Sequence, residues 1–225
     1  MKANLAYRVL KRLFDLLASG TALVLLLPLW IVAILGIEIS DPGPVFYLAD
    51  RVGKDDRHFK MLKFRSMRVD NSEDERSLRP NYSRIFPWGG FMRDTKIDEL
   101  PQLVNVFLGD MSVIGPRPAS ADQVSVTRGG KYAAVSAVQP GLSGPSALYD
   151  YIYGDNITDE ETYEKLVLPT RLNLDLYYLK ARSIGYDLKM IWWTLLAILA
   201  HGKREKILEE LRASAASVAS VEDKT

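Results

Sequence analysis

Apolar blocks alternate with charged stretches along this chain, and the first block is the strongest. Residues 16–37, LLASGTALVLLLPLWIVAILGI, hold no charged side chain. As a helix rising about 1.5 Å per residue the run is about 33 Å long, enough to match the hydrocarbon of a bilayer. Its length, Asp15 at its start and the lack of an A-x-A site after it speak against a signal peptide. Pro28 falls near its middle. It cannot donate to the carbonyl of Val24, and its ring clashes there, so a kink or break is expected. Two readings follow: a kinked spanning helix, or a helix-break-helix hairpin that dips into the membrane and returns to the same side. Lys2, Arg8, Lys11 and Arg12 precede the run, and Arg51, Lys54, Arg57, Lys60, Lys63, Arg65 and Arg68 follow it. Positive charge on both flanks favours the hairpin, although Glu38 and Asp41 open the second flank.

Asp41-Pro42-Gly43-Pro44 then breaks the helix. Residues 45–49 and 59–67 read as strands of a hairpin, with 52–57 as the turn. Residues 70–80 are polar and read as a loop or a solvated helix. A short helix is expected over 100–108, an extended loop over 115–118, and partial helix over 119–138 with a break at Gly129-Gly130. Residues 139–144 read as a turn and 166–181 as a helix. A second apolar block, 190–200, is too short to span and carries Trp192 and Trp193. It suits either the membrane surface or a buried core helix. Residues 203–211 read as a charged helix, and the Ala/Ser-rich end beyond them as disordered. There is no internal repeat. On the hairpin and membrane-surface readings the fold class is α+β: a membrane helix-break-helix over 1–40, a mostly helical domain with a short β-hairpin over 41–202 that includes an interfacial helix at 186–200, and a charged helix and tail over 203–225.

Composition narrows the chemistry. With 29 Lys and Arg against 28 Asp and Glu, a net charge of +1 gives no global field for nucleic acid. The absence of cysteine excludes disulfides, thiolate metal sites and a cysteine nucleophile. His58 and His201 lie far apart in charged stretches, without metal-ligand spacing, and read as surface residues.

The segment from Thr95 through Asp98, Glu99 and Pro101 carries the candidate chemistry. Thr95 followed three residues later by Asp98 resembles a capping box, and Pro101 is tolerated only in a first turn. Acids at a helix start are ordinary, since free N–H groups and the helix dipole stabilise them. Cations change that picture: Lys63 and Arg65 share a strand face, Arg93 is near in sequence, and Arg117 sits stiffly between Pro116 and Pro118. Carboxylates among cations, with Mg2+, match phosphoryl transfer, which needs charge neutralisation and in-line positioning more than acid–base chemistry. An ionised carboxylate attacks phosphorus without a general base. Magnesium suits carboxylate and phosphate oxygens.

Five segments together resemble the small monotopic phosphoglycosyl transferases, bacterial sugar transferases that start polysaccharide and glycoconjugate assembly. They are Lys11-Arg12-Leu13-Phe14-Asp15; Gly43 to Tyr47 with Arg51 to Lys54; Phe59 to Met67; Asp98 to Val106 running on to Ser112; and Gly115-Pro116-Arg117-Pro118. Residues 139–144 and 186–189 match more weakly. The resemblance spans roughly residues 8–200. It implies a re-entrant membrane helix, an active site on the cytosolic face of the bacterial inner membrane, and a two-step reaction. Asp98 matches the nucleophile that attacks the β-phosphorus of a UDP-sugar and releases UMP. Polyprenyl phosphate then takes the sugar phosphate from the aspartyl intermediate. Glu99 matches the partner carboxylate, with a role in metal binding or positioning. Lys63, Arg65, Arg93 and Arg117 fall where the family binds phosphates, and Lys11, Arg12 and Asp15 match its membrane-entry motif. Two departures stand out. Leu27 precedes Pro28 where the family often has Ser, and the segment 145–155 replaces an aromatic stretch and an Asn-Gly-Arg segment. The residues leave open which sugar is used, and whether the helix bearing Trp192 meets lipid or a partner chain in a homo-oligomer. A non-catalytic membrane scaffold would explain the apolar run and the cations, but not the spacing of the acids with the Pro-Arg-Pro loop. A nucleic-acid binder is disfavoured by the near-neutral charge and the membrane run.

Overall fold

A computed structural model describes residues 5–69 and 82–222. The polar stretch 70–80, Lys2 and the last three residues lie outside the described residues. Helices α1 (Leu5–Leu25) and α2 (Leu27–Ser40) open the chain. A β-hairpin follows, β1 (Phe46–Val52) and β2 (His58–Phe64), then α3 (Pro87–Asp94), a 3-10 turn (Ile97–Glu99) and α4 (Gln102–Leu108). Strands β3 (Ser112–Ile114) and β4 (Ala119–Ser120) flank the Pro-Arg-Pro segment. After them come α5 (Val124–Thr127), a 3-10 stretch (Gly130–Ala137), β5 (Gly141–Ser143), α6 (Pro145–Ile152), α7 (Glu160–Leu166), α8 (Leu168–Ala181), α9 (Ile184–Leu199) and α10 (Arg204–Glu222). One sheet runs β2-β1-β4, all antiparallel, and a second pairs β3 with β5 in parallel. The class is α+β, as expected.

The first helix breaks where Pro28 predicts. α1 and α2 meet at a 60° bend, with Pro28 in the first turn of α2, where a missing N–H is harmless. The Leu26 N–H still donates to the Ala22 carbonyl at 2.9 Å, and the Trp30 N–H to the Leu26 carbonyl at 3.0 Å. The ladder therefore continues on both sides of the proline. No single helix among the described residues is long and apolar enough to cross a membrane, whereas α1 and α2 together are, by length and composition.

Both arms of this bent pair dock on the same globular body. On α1, the Asp15 carboxylate is buried and accepts from the Ser112 hydroxyl and the Val113 N–H, each at 3.0 Å. Lys11 reaches Asp187 of α9 at 2.7 Å. The Arg12 guanidinium donates to the carbonyls of Val106 and Phe107 at 2.7 Å, capping the end of α4, where the Val106 carbonyl also accepts from the Gly109 N–H. On α2, Ala33 and Ile37 pack with Phe64, Phe86 and Met92. Trp88 of α3 lies against the same helix and donates its indole N–H to the Ala33 carbonyl at 3.3 Å.

Elsewhere three differences between the pattern and the fold stand out. Residues 139–144, expected as a turn, supply strand β5, because Gly141 lies close enough to Gly115 for backbone pairing. The helix expected over 166–181 is preceded by another, α7, and the two are separated at Val167. The end of the chain is helical through Glu222 instead of disordered from 212. Its small Ala and Ser residues let α10 approach α8, and Leu211, Ala215 and Val218 are buried there. The main core lies under α6 to α10, around Tyr149, Tyr163, Leu174 and Leu208. The second apolar block proves two-sided: α9 buries Met190 and Ala197, while Leu188, Trp192, Leu195 and Leu199 form an exposed stripe on the same helix. His58 and His201 are exposed.

Gly36 permits the contact between α2 and α3, since a Cβ there would lie 2.2 Å from Cε2 of the Trp88 ring. We predict that Gly36→Ala destabilises the protein by about 1–3 kcal/mol through overpacking, despite the better helix propensity of alanine. Denaturant unfolding in detergent checks this. In a Trp88→Ala background the same substitution should be neutral or stabilising, and an equal loss in both backgrounds would contradict the packing account.

Candidate active site

The acid pair sits where α3 hands over to α4. Thr95 ends α3: its N–H and its hydroxyl both donate to the Phe91 carbonyl, at 3.1 and 2.7 Å. The expected capping box from Thr95 to Asp98 is therefore not formed, because the Thr95 hydroxyl is spent on the preceding helix. Lys96 then takes a left-handed backbone conformation, φ 60°, ψ 17°, and turns the chain into the 3-10 turn that carries Asp98 and Glu99. Pro101 follows at the N-cap of α4. The two acids thus lie on a tight turn just ahead of α4, not within its first turn.

Their environments differ. Asp98 is 4% exposed, and its Oδ1 is buried without a hydrogen-bond partner among the described residues. Burial and the neighbouring Glu99 push its carboxyl up, against the pull of Lys63, Lys96 and Arg93. For Glu99, burial also pushes upward, but Lys63, Lys96 and Arg117 outweigh it and hold the carboxyl below the usual carboxylate range. The nearest of these, Lys63 Nζ, lies 3.1 Å from Glu99 Oε1. Glu99 is thus the fixed charge of the pair, and Asp98 keeps an oxygen uncommitted.

Of the four expected phosphate-binding cations, three act on this pair. Lys63 reaches it from β2, directly through Glu99. Arg93, in the last turn of α3, acts on Asp98 by its charge. Arg117 acts on Glu99, while its backbone N–H donates to Asp175 Oδ1 at 3.2 Å and its Nε stands 3.4 Å from Asp150 Oδ2. Arg65 is the exception. Its guanidinium donates to the Asp41 carboxylate, the Asp41 carbonyl and the Pro44 carbonyl. The strand ends at Phe64, so the alternation that would align Arg65 with Lys63 ends too. The turn after α2, with two prolines that lack N–H groups, offers acceptors that Arg65 satisfies. Lys11, Arg12, Asp15 and Pro28 serve the docking and bending of the N-terminal helices.

Several site residues escaped the sequence reading. Behind Arg117 stands a buried polar cluster: the Tyr163 hydroxyl donates to Asp150 Oδ1 at 2.7 Å, and Arg171 Nη1 donates to the Tyr163 oxygen at 2.7 Å and lies 3.6 Å from Asp150 Oδ2. Ser146 donates to Asp175. Burial raises Asp175 to about 6 against the opposing effect of Ser146 and Arg171. The half-buried Arg51 of β1 feels the charges of Arg117 and Arg171. None of these shares a spacing with the acids. Lys96, two residues before Asp98, was the one visible in sequence. Among the described residues no group of three or more His, Cys, Asp or Glu converges as a metal cage. Two adjacent carboxylates with one free buried oxygen nevertheless fit magnesium, which takes one or two protein carboxylates and completes its shell with phosphate and water.

The chain is similar to known proteins over most of its length. The family described as bacterial sugar transferase matches residues 6–201. The chain is 36% identical over 205 residues to the exopolysaccharide production protein PSS of Rhizobium leguminosarum bv. phaseoli, covering 87% of this chain and 98% of that protein. It is 34% identical over 195 residues to the UDP-glucose:undecaprenyl-phosphate glucose-1-phosphate transferase of Xanthomonas campestris pv. campestris, covering 85% of this chain and 39% of that one. It is 35% identical over 198 residues to the UDP-N-acetylgalactosamine-undecaprenyl-phosphate N-acetylgalactosaminephosphotransferase of Aeromonas hydrophila, covering 86% and 44%. The chain spans less than half the length of the latter two relatives.

The placement of Arg65 separates it from the other cations. We predict that Arg65→Ala costs about 1.5–3 kcal/mol of stability by removing its charge-assisted hydrogen bonds to Asp41 and Pro44 while Arg68 stays near Asp41, read as a fall in the denaturant midpoint. Arg93→Ala, by contrast, should leave that midpoint close to wild type. A stable Arg65→Ala protein would return Arg65 to the substrate site.

Proposed function

This chain belongs to the bacterial sugar transferases, and we propose that it moves a sugar 1-phosphate from a UDP-sugar to polyprenyl (undecaprenyl) phosphate, releasing UMP. The observation that carries this reading is the buried, unpartnered Oδ1 of Asp98 within a set of cations from β2, α3 and the Pro-Arg-Pro loop. The names of two relatives pair undecaprenyl phosphate with different sugars, glucose and N-acetylgalactosamine. The lipid phosphate is therefore the common element, and the sugar of this chain is left to a substrate panel.

In the first step Asp98 Oδ1 attacks the β-phosphorus. The bond from that phosphorus to the bridging oxygen breaks, and UMP leaves with the electron pair. The carboxylate needs no general base. In the second step an oxygen of polyprenyl phosphate attacks the same phosphorus, and the bond to Asp98 breaks. Polyprenyl diphosphate sugar leaves and the carboxylate returns. Lys63, Arg93 and Arg117 offset the charge of the donor diphosphate as Asp98 approaches it. Asp98 and Glu99 would hold Mg2+, which supplies Lewis-acid neutralisation of phosphate oxygens when bound.

A lipid-linked acceptor requires a membrane-bound enzyme, and the helix docking supports a re-entrant arrangement. The N-terminal half of α1 is tied to α4, α9 and β3, and the C-terminal half of α2 to α3 and β2. Both ends therefore belong on one side of the bilayer, which we take to be the cytosolic face of the bacterial inner membrane. Leu17, Val24, Leu25, Ile31 and Leu35 project outward from the bent pair. The exposed stripe of α9 with Trp192 suits the headgroup boundary, and we assign it to lipid instead of a partner chain.

Incubation with UDP-sugars, polyprenyl phosphate and magnesium should release UMP from at least one sugar, and Asp98→Asn should abolish it. Rapid quench with UDP-sugar alone should leave a phosphosugar adduct on Asp98, seen by intact mass. UMP appearing only when both substrates are present would contradict the two-step scheme. The lack of native cysteine makes topology directly testable. Single cysteines at the exposed Arg8 and Arg57 should react with an impermeant maleimide from the same side of sealed vesicles. Labelling from opposite sides would restore a spanning helix.

A further inference from the structure

The left-handed Lys96 is the least expected residue of the acidic turn. That conformation costs a side-chain-bearing residue about 1–2 kcal/mol relative to glycine or asparagine, which adopt it readily. Non-glycine residues persist there when the surroundings hold them, and they concentrate at functional sites. The surroundings hold this one by its side chain. The Lys96 ammonium lies 4.4 Å from the centre of the Tyr151 ring and 3.4 Å from Asp155 Oδ2. Tyr151 is itself fixed: its hydroxyl donates to the Asp94 carbonyl at 3.1 Å and accepts from Arg204 Nη2 at 2.8 Å. Arg204 in turn donates to the Ala197 carbonyl at the end of α9. Tyr151 and Asp155 both lie in the segment 145–155, one of the two places where the chain departs from the pattern of the family it resembles.

Lys96 is also the cation closest in sequence to Asp98, and its charge acts on both acids. Its ion pair with Asp155 is long, and the Asp155 side chain is 43% exposed. An ammonium with three donors, held by a ring face and one solvent-facing carboxylate, has capacity left for a phosphate oxygen. An anionic nucleophile approaching an anionic diphosphate needs such a donor beside it.

Building on the function proposed above, we infer that Lys96 binds the diphosphate of the sugar donor, and that Tyr151 and Asp155 act as its positioning residues. The segment 145–155 thereby supports donor binding from behind the acidic turn. The left-handed backbone turns the chain just ahead of the acids, and the ring and carboxylate hold the ammonium in place before the substrate arrives.

The test uses the full chain in detergent or nanodiscs with whichever UDP-sugar the wild type accepts. Lys96→Gly removes the ammonium while relaxing the backbone, so its melting temperature should equal or exceed that of wild type. Its kcat/KM for UDP-sugar should fall about 10- to 100-fold, as for loss of one charge-assisted contact. The KM for polyprenyl phosphate should not move, and Lys96→Arg should recover most of the activity. Asp155→Asn should raise the donor KM several-fold with a smaller change in kcat. Wild-type donor kinetics in Lys96→Gly, a loss that follows a lowered melting temperature, or a shift in the acceptor KM in place of the donor KM would each overturn the assignment. If the wild type is active, Asp98→Asn is dead and Lys96→Gly is unaffected, this inference alone falls. If the wild type releases no UMP from any UDP-sugar, the proposed function falls with it.

Discussion

The rest of this structure depends on the break in its first helix. An uninterrupted helix over residues 16–37 would carry the chain about 33 Å away from its start. Pro28 instead turns it by 60°, and the backbone bonds on either side of the turn survive. The bend is useful because each arm then finds its own anchor. Asp15, Lys11 and Arg12 are charged groups at the edge of an apolar run, and each meets a defined polar partner on the globular body. At the other end Arg65 binds the chain as it leaves α2, and Trp88 closes against a helix face that Gly36 leaves bare. A half-satisfied set of such buried charges would be strongly destabilising, so the pairings fix the angle and register of the helix pair on the domain.

That docking also places the chemistry. α4 receives Arg12 at its C-terminal end and is preceded by the acid pair on the tight turn at its N-terminal end. The element that meets the N-terminal helices is thus the one that the acid-bearing turn leads directly into. Around the acids, the cations come from separate rigid elements: a strand, the last turn of a helix, a left-handed residue and a proline-flanked loop. Few of them can relax toward one another, so their combined field remains directed at the acids. The field divides the pair, with Glu99 held as a charge by Lys63 and Asp98 left with a free oxygen. Arg117 is backed in turn by Asp150, Tyr163, Arg171 and Asp175, a polar cluster whose members largely satisfy one another.

Much of this was legible in the residue order because it depends on short-range rules. The apolar run and its proline announce a broken apolar helix, since helix length and the missing N–H are local properties. The β-hairpin, the short helix after the acids, the stiff Pro-Arg-Pro loop and the break at Gly129-Gly130 follow from alternation and turn chemistry. The acid pair with Lys63, Arg93 and Arg117 could be named because those residues lie within recognisable motifs. Where the local reading failed, a distant partner had claimed the group. Thr95 looked like an N-cap but ends the helix before it. Arg65 looked like the strand-mate of Lys63 but is taken by Asp41, 24 residues away. The Ala/Ser-rich end looked featureless, yet α8 offers its small side chains a surface for close packing.

The sequence by itself thus determined the α+β class and the break at Pro28, which follow from residue types at short spacing, and its ordered motifs pointed to the family and to Asp98 and Glu99 as the candidate pair. The tertiary structure decided how those parts are used. It separated Asp98 from Glu99 by burial and by the reach of Lys63, removed Arg65 from the site, and gave α9 one face in the core and one face outside. It also brought Tyr151, Asp155 and Arg204 to the left-handed Lys96. These are outcomes of desolvation and of contacts between residues tens of positions apart, and neither leaves a periodic or motif-like trace along the chain.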